Sequence, residues 1–139
     1  PDNTCLDGEI TLLTRGNLSS KEAYKETMKI VRTKDKEKHG IKMLVFDWLS
    51  AEDFKKQQCS FTYKMRRSWV YNEIFDKHDF KYFELLPILY VGDDASKITE
   101  VLEDEIANGE EGIMINILDA GYEFKRTNSL LKVKKMHFQ

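Results

Sequence analysis

Ile41-Lys42-Met43-Leu44-Val45-Phe46-Asp47-Trp48-Leu49 is apolar on both faces of a period-two alternation, so it reads as a strand buried on both sides. The rest of the chain can be placed outward from it. Upstream, Leu6, Ile10 and Leu12 alternate with Asp7, Glu9 and Thr11, the period of a half-buried strand over about Cys5–Thr14. Arg15-Gly16-Asn17 supplies a turn. Ser19 followed by Glu22 fits a capping box, and Tyr24, Met28 and Val31 at helical spacing predict a core-facing stripe on a helix that ends near Thr33. Residues 34–38 interleave lysines with acids and read as a solvated connector.

Downstream, Ser50 and Asp53 look like a second capping box. A helix over Tyr63–Lys77 is expected to bury Met65, Trp69, Val70, Ile74 and Phe75. Phe80–Val91 reads as extended, with Pro87 placing part of it at an edge or bulge. Ile98, Val101, Leu102 and Ile106 mark an amphipathic helix closed by Asn108-Gly109. Ile113–Leu118 and Leu130–Lys135 read as the last strands. The order strand, helix, strand, helices, strand, helix, strand, strand belongs to an α+β or α/β domain, and 139 residues with 41% hydrophobic content fit one domain with a real core.

Bulk charge decides little, because a 33% charged fraction nearly cancels to a net −2. Distribution says more. Acids crowd Asp93–Glu111, and Lys125, Arg126, Lys132, Lys134 and Lys135 make the C-terminal end basic. Cys5 and Cys59 are far apart without metal-type spacing, as are His39, His78 and His137; reduced thiols in an intracellular protein are expected. No apolar run reaches the length of a membrane span, so a soluble protein of the cytoplasm (bacterial or of a phage-infected host) or nucleus is expected.

Three strands carry charge that a core does not want. In Leu6-Asp7-Gly8-Glu9-Ile10, Gly8 lets a ligand approach the backbone and a carboxylate on the polar face can accept from a ribose hydroxyl; a solvent-facing strand with a glycine bulge is the alternative. In Glu111-Gly112-Ile113-Met114-Ile115, Glu111 stands at a strand entrance, where one carboxylate can hold Mg²⁺ that keeps its waters and binds phosphate; an ordinary loop acid, like Glu110 beside it, is the alternative. In Leu130-Leu131-Lys132-Val133-Lys134-Lys135-Met136, Lys132 and Lys134 point to one face, and two adjacent ammonium groups repel unless an anion such as a phosphate lies between them; a solvent-exposed strand face is the alternative. Phe46 is an aromatic in a central strand, either core or a platform for a purine.

D-G-E, then F-D, then E-G-I-M-I, then K-V-K, in this order from Leu6 to Met136, resembles the motif series of covalent nucleotidyltransferases, and specifically of ATP-dependent DNA ligases. Glu-Gly in the penultimate motif is ligase-like where capping enzymes usually have Asp-Gly, and so is the segment Tyr122–Lys134 with Lys125 and Arg126. The resemblance implies an incomplete α+β nucleotidyltransferase domain, ATP-grasp-like, of mostly antiparallel sheets flanked by helices. It implies ATP and Mg²⁺ as cofactors, nicked double-stranded DNA as partner, and a monomer acting in replication, repair or recombination. Glu9 would contact the ribose and help with metal, Phe46 would stack on adenine, Glu111 would coordinate metal, and Lys132 and Lys134 would bind phosphates. All five are expected to converge on one cleft.

Arg66 and Arg67 in Tyr63-Lys64-Met65-Arg66-Arg67, with Arg126, are further candidates for nucleotide or DNA contact, a packing or salt-bridge role being the alternative for the pair. The family's K-x-D-G-x-R has no counterpart: Cys5 stands where its lysine would fall before Asp7-Gly8. An OB-fold domain, which the family carries next, is likewise outside these residues. The chain by itself is therefore expected to bind nucleotide and not to adenylate itself. An RNA ligase, a capping-type nucleotidyltransferase, or a non-catalytic nucleotide- or DNA-binding module are the other readings.

Overall fold

A computed structural model describes residues 3–125 and 129–134. Its elements run β1 (Thr4–Leu12), α1 (Ser20–Arg32), β2 (Ile41–Ser50), α2 (Ala51–Lys56), α3 (Tyr63–Val70), a π-helical turn (Tyr71–Phe75), β3 (Phe83–Leu85), α4 (Ala95–Ala107), β4 (Gly112–Asn116) and β5 (Leu130–Lys134). The fold is α+β, as the sequence implies. Two compact units share these elements: one comprises Pro1–Ile10, Lys42–Leu86 and Asn116–Leu131, the other Thr11–Ile41, Pro87–Ile115 and Lys132–Gln139.

In the first unit β2 is the middle strand of the order β1-β2-β3, and Val45, Asp47, Trp48 and Leu49 are buried. Burial on both sides of the alternation is what its sequence predicts. β3 pairs with it in parallel, Met43 opposite Phe83 and Val45 opposite Leu85, and the Leu86 N–H donates to the Val45 carbonyl at 2.8 Å. Pro87 follows and brings no N–H, so a ladder cannot continue through it. The long extended segment read over Phe80–Val91 is thus a three-residue strand, because only residues facing β2 find partners.

Trp48 stacks on Trp69 with ring centroids 3.9 Å apart, and Trp48, Val70 and Ile74 form a core flanked by Leu6, Phe75 and Leu85. Helix α3 starts on Thr62, whose hydroxyl accepts from the Met65 N–H, while Ala120 and Leu118 carbonyls take the Tyr63 and Lys64 N–H groups at 2.8 and 3.0 Å. Those carbonyls satisfy donors that a helix start leaves free. The helix then widens: the Asp76 N–H bonds the Tyr71 carbonyl, five residues back. Two expectations change here. Met65 is exposed rather than core, and Arg66 is buried in its stead.

In the second unit Ser19 caps α1, with the Glu22 carboxylate returning to the Ser19 N–H at 2.8 Å, the capping box read from the sequence. The buried stripe is rotated from the one expected: Ala23 and Thr27 are buried, and Tyr24 and Val31 are exposed. Thr27 tolerates burial because its hydroxyl donates to the Ala23 carbonyl at 2.7 Å. Helix α4 closes as a Schellman turn. The Gly109 N–H reaches the Ile106 carbonyl, the Glu110 N–H reaches the Glu105 carbonyl, and Gly109 takes a φ of 89° that favours glycine.

Strand β4 pairs with β5. A Cβ on Gly112 would run into the Val133 carbonyl oxygen. Gly112→Ala must therefore push two backbones apart, and we expect a loss of about 1–3 kcal/mol or more, of the size overpacking brings. Faster amide exchange confined to β4 and β5 checks it; unchanged exchange with unchanged stability contradicts it.

Candidate nucleotide site

The charged side chains of the first unit sort into two sets. One set is consumed internally. Arg66 forks onto Asp47, Nε to Oδ1 at 2.7 Å and Nη2 to Oδ2 at 3.0 Å, and its Nη1 donates to the Phe61 carbonyl at 2.5 Å and the Ala120 carbonyl at 3.2 Å. The guanidinium also lies 5.7 Å from the Tyr63 ring centre and 5.5 Å from that of Tyr122. Arg66 is 4% and Asp47 8% exposed, so both charges are out of water and each answers the other. Four of the five N–H donors of Arg66 are engaged inside the fold, the packing and salt-bridge alternative that the sequence left open for it. Arg67 is half-buried and donates from Nη2 to the Leu86 carbonyl. Arg126 lies outside the described residues.

Asp7 accepts from the Tyr122 hydroxyl at 2.8 Å. Burial first, and then the bond to the Asp7 carboxylate, push the Tyr122 phenol far above its ordinary range, so the hydroxyl keeps its proton and remains a donor. A cavity of about 200 Å³ is lined by Asp7, Asp47, Tyr63, Arg66, Asn116 and Tyr122 among others. Gly8 has a structural reason: a Cβ there would meet the Leu44 carbonyl oxygen of β2, so the close approach it permits is that of the neighbouring strand.

The other set is left free. Glu9, two residues beyond Asp7 on β1, is exposed and has no ion-pair or hydrogen-bond partner among the described residues. Phe46 is half-buried and, by alternation along β2, shares a face with Trp48, opposite Asp47; it does not line the cavity.

The second unit repeats the division. Arg15 pairs with Glu110 and donates from Nε to the Leu18 carbonyl at 2.8 Å and from Nη2 to the Gly109 carbonyl at 3.3 Å. Glu110 thus serves the turn after α4. Glu111 beside it is exposed, and Lys132 and Lys134 are exposed on β5 with Val133 half-buried between them. None of these three has a partner among the described residues. No group of three or more metal-ligating side chains exists among the described residues. Cys5 and Cys59 are free and half-buried, and burial pushes the Cys59 thiol up, away from nucleophilic use.

No helix among the described residues is long and apolar enough to cross a membrane. Sequence reasoning missed the Arg66–Asp47 pair and the Tyr122–Asp7 bond. The signals available were an acid in the middle of an otherwise apolar strand and a tyrosine inside the ligase-like segment.

Residues 1–134 match the family of the ATP dependent DNA ligase domain, and the chain belongs to that family. Two solved structures, described as Pmar-Lig_Pre and Pmar-Lig_PreS3, each superpose with a TM-score of 0.69 at 26% identity, over 95% of this chain and 30% of theirs. A structure from a structure-function analysis of Lig E DNA ligases superposes with a TM-score of 0.68 at 21% identity, over 94% of this chain and 46% of that one, a likeness of fold. The chain thus spans less than half of each of these. No curated protein matches it.

Proposed function

We propose that the whole protein is an ATP-dependent DNA ligase that forms a lysine-AMP, passes AMP to a DNA 5′-phosphate and seals the nick. These residues would be the part of its adenylation domain, one domain over 1–139, that holds the nucleotide. The observation that carries the reading is the division of charge inside a family-matched chain. Asp47, Arg66, Arg15 and Glu110 are paired within the fold, while the motif residues Glu9, Glu111, Lys132 and Lys134 are exposed and partnerless among the described residues.

Each free group suits one part of ATP. Glu9 accepts from a ribose hydroxyl. Lys132 and Lys134, two apart on one strand face, hold phosphate oxygens and offset the charge that builds as pyrophosphate leaves. For Phe46 to stack on adenine, the base must lie on the Trp48 face of β2. Mg²⁺ fits Glu111 as a single exposed carboxylate, with waters and substrate phosphates completing the shell rather than a protein cage. When bound it would neutralise phosphate charge. Glu9 would aid it, as the motif resemblance implies.

The lysine nucleophile and the OB-fold contribution would come from elsewhere in the protein. Nicked duplex DNA is the expected partner, the cytoplasm or nucleus the expected compartment, and a monomer the expected state. Calorimetric titration of the full-length protein with ATP and with GTP, each with Mg²⁺, tests the nucleotide class. Heat from ATP alone supports the ligase reading, and heat from GTP alone supports a capping-type enzyme.

A further inference from the structure

Three segments meet at one guanidinium, and a fourth is tied to it through a tyrosine. Arg66 of α3 forks onto Asp47 of β2 and holds the Ala120 carbonyl. Two residues after Ala120, Tyr122 lies against the same guanidinium and sends its hydroxyl to Asp7 of β1. β1 is an outer strand of its sheet, so one of its edges is not tied by β2 or β3. The Tyr122 bond is a side-chain anchor on that strand, two residues ahead of Glu9.

We propose that Tyr122 is a positioning residue for the nucleotide site: held over Arg66, it fixes β1 through Asp7 and so fixes where the Glu9 carboxylate stands. The inference rests on the reading of Glu9 as a ribose contact. Asp7 and Tyr122 touch no substrate; they act through the strand. Arg66 is the rigid base, since its fork geometry sets both the Ala120 carbonyl and the tyrosine ring.

Two properties make the anchor selective. The phenol keeps its proton, so the O–H donor is always available to the carboxylate. Asp7 is engaged by that donor, leaving Glu9 as the acid of D-G-E with no partner among the described residues.

Tyr122→Phe removes one oxygen and leaves the ring over Arg66. Self-adenylation kinetics of the full-length protein should show KM for ATP rising about ten-fold, the effect of losing a hydrogen bond to a charged group, with kcat within about three-fold. Placed on Glu9→Gln, the same change should add less than about two-fold, because Tyr122 acts only through Glu9. Asp7→Asn keeps an acceptor for the hydroxyl and should hold KM within about three-fold of the parent.

A KM unchanged in Tyr122→Phe, or a Tyr122→Phe effect that multiplies with Glu9→Gln, overturns the inference while leaving the ligase reading intact. So does a ten-fold loss in Asp7→Asn. A parent protein that takes no label from ATP overturns the ligase reading, and this inference with it.

Discussion

Replacing Arg66 by methionine is expected to cost about 3–5 kcal/mol, the penalty for leaving a buried partner charge alone. Asp47 is 8% exposed, and both of its oxygens face the guanidinium. Methionine supplies comparable apolar volume but no donor. The Phe61 carbonyl loses the guanidinium donor as well, while the Ala120 carbonyl keeps only the Tyr63 N–H. Urea unfolding should show the midpoint falling at constant slope.

The double replacement Arg66→Met with Asp47→Leu separates charge from packing. It should recover most of the loss, since an apolar pair of similar volume often matches a buried ion pair. A single variant with an unshifted midpoint would show that the pair carries no stability.

The second large effect is on chemistry rather than folding. Lys132→Ala and Glu111→Ala should each lower the rate of adenylate formation in the full-length protein by about 10²–10³-fold, the size seen when one preorganised group facing developing charge is removed. Both side chains are exposed and make no bond within the described residues, so their removal should leave stability within about 0.5 kcal/mol. Lys132→Arg keeps the charge and should retain more activity than alanine. Lys21→Ala, an exposed lysine on α1 outside the motifs, should leave the rate unchanged. Equal losses from Lys21 and Lys132 would mean that general surface charge, and not this strand, matters.

Much of this could be read from the residues, for identifiable reasons. β2 was legible because nine residues without alternation have few other solutions. The Ser19 box and the Asn108-Gly109 turn were legible because cap chemistry is local and needs no knowledge of the rest of the chain. The motif order was legible because it survives without geometry.

What escaped is non-local. The burial of Arg66 depends on Asp47, nineteen residues earlier, and on a carbonyl fifty-four residues later. The parallel pairing of β3 depends on which part of Phe80–Val91 comes to rest beside β2. The stripe of α1 went to Ala23 and Thr27 rather than to Tyr24 and Val31, because a small residue and a hydroxyl that can bond its own helix also pack. At Gly8 of D-G-E the sequence suggests the close approach of a ligand, and Gly112 of E-G-I carries no reading of its own. The backbone that approaches each is a neighbouring strand.

The most direct test is a pulse and chase. The full-length protein is incubated with Mg²⁺ and ATP carrying a radioactive α-phosphate, then given nicked duplex DNA. A ligase acquires covalent label from ATP and not from GTP, and loses it to the DNA as the nick closes. A protein that never takes label, takes it from GTP, or keeps it in the presence of nicked DNA is not one.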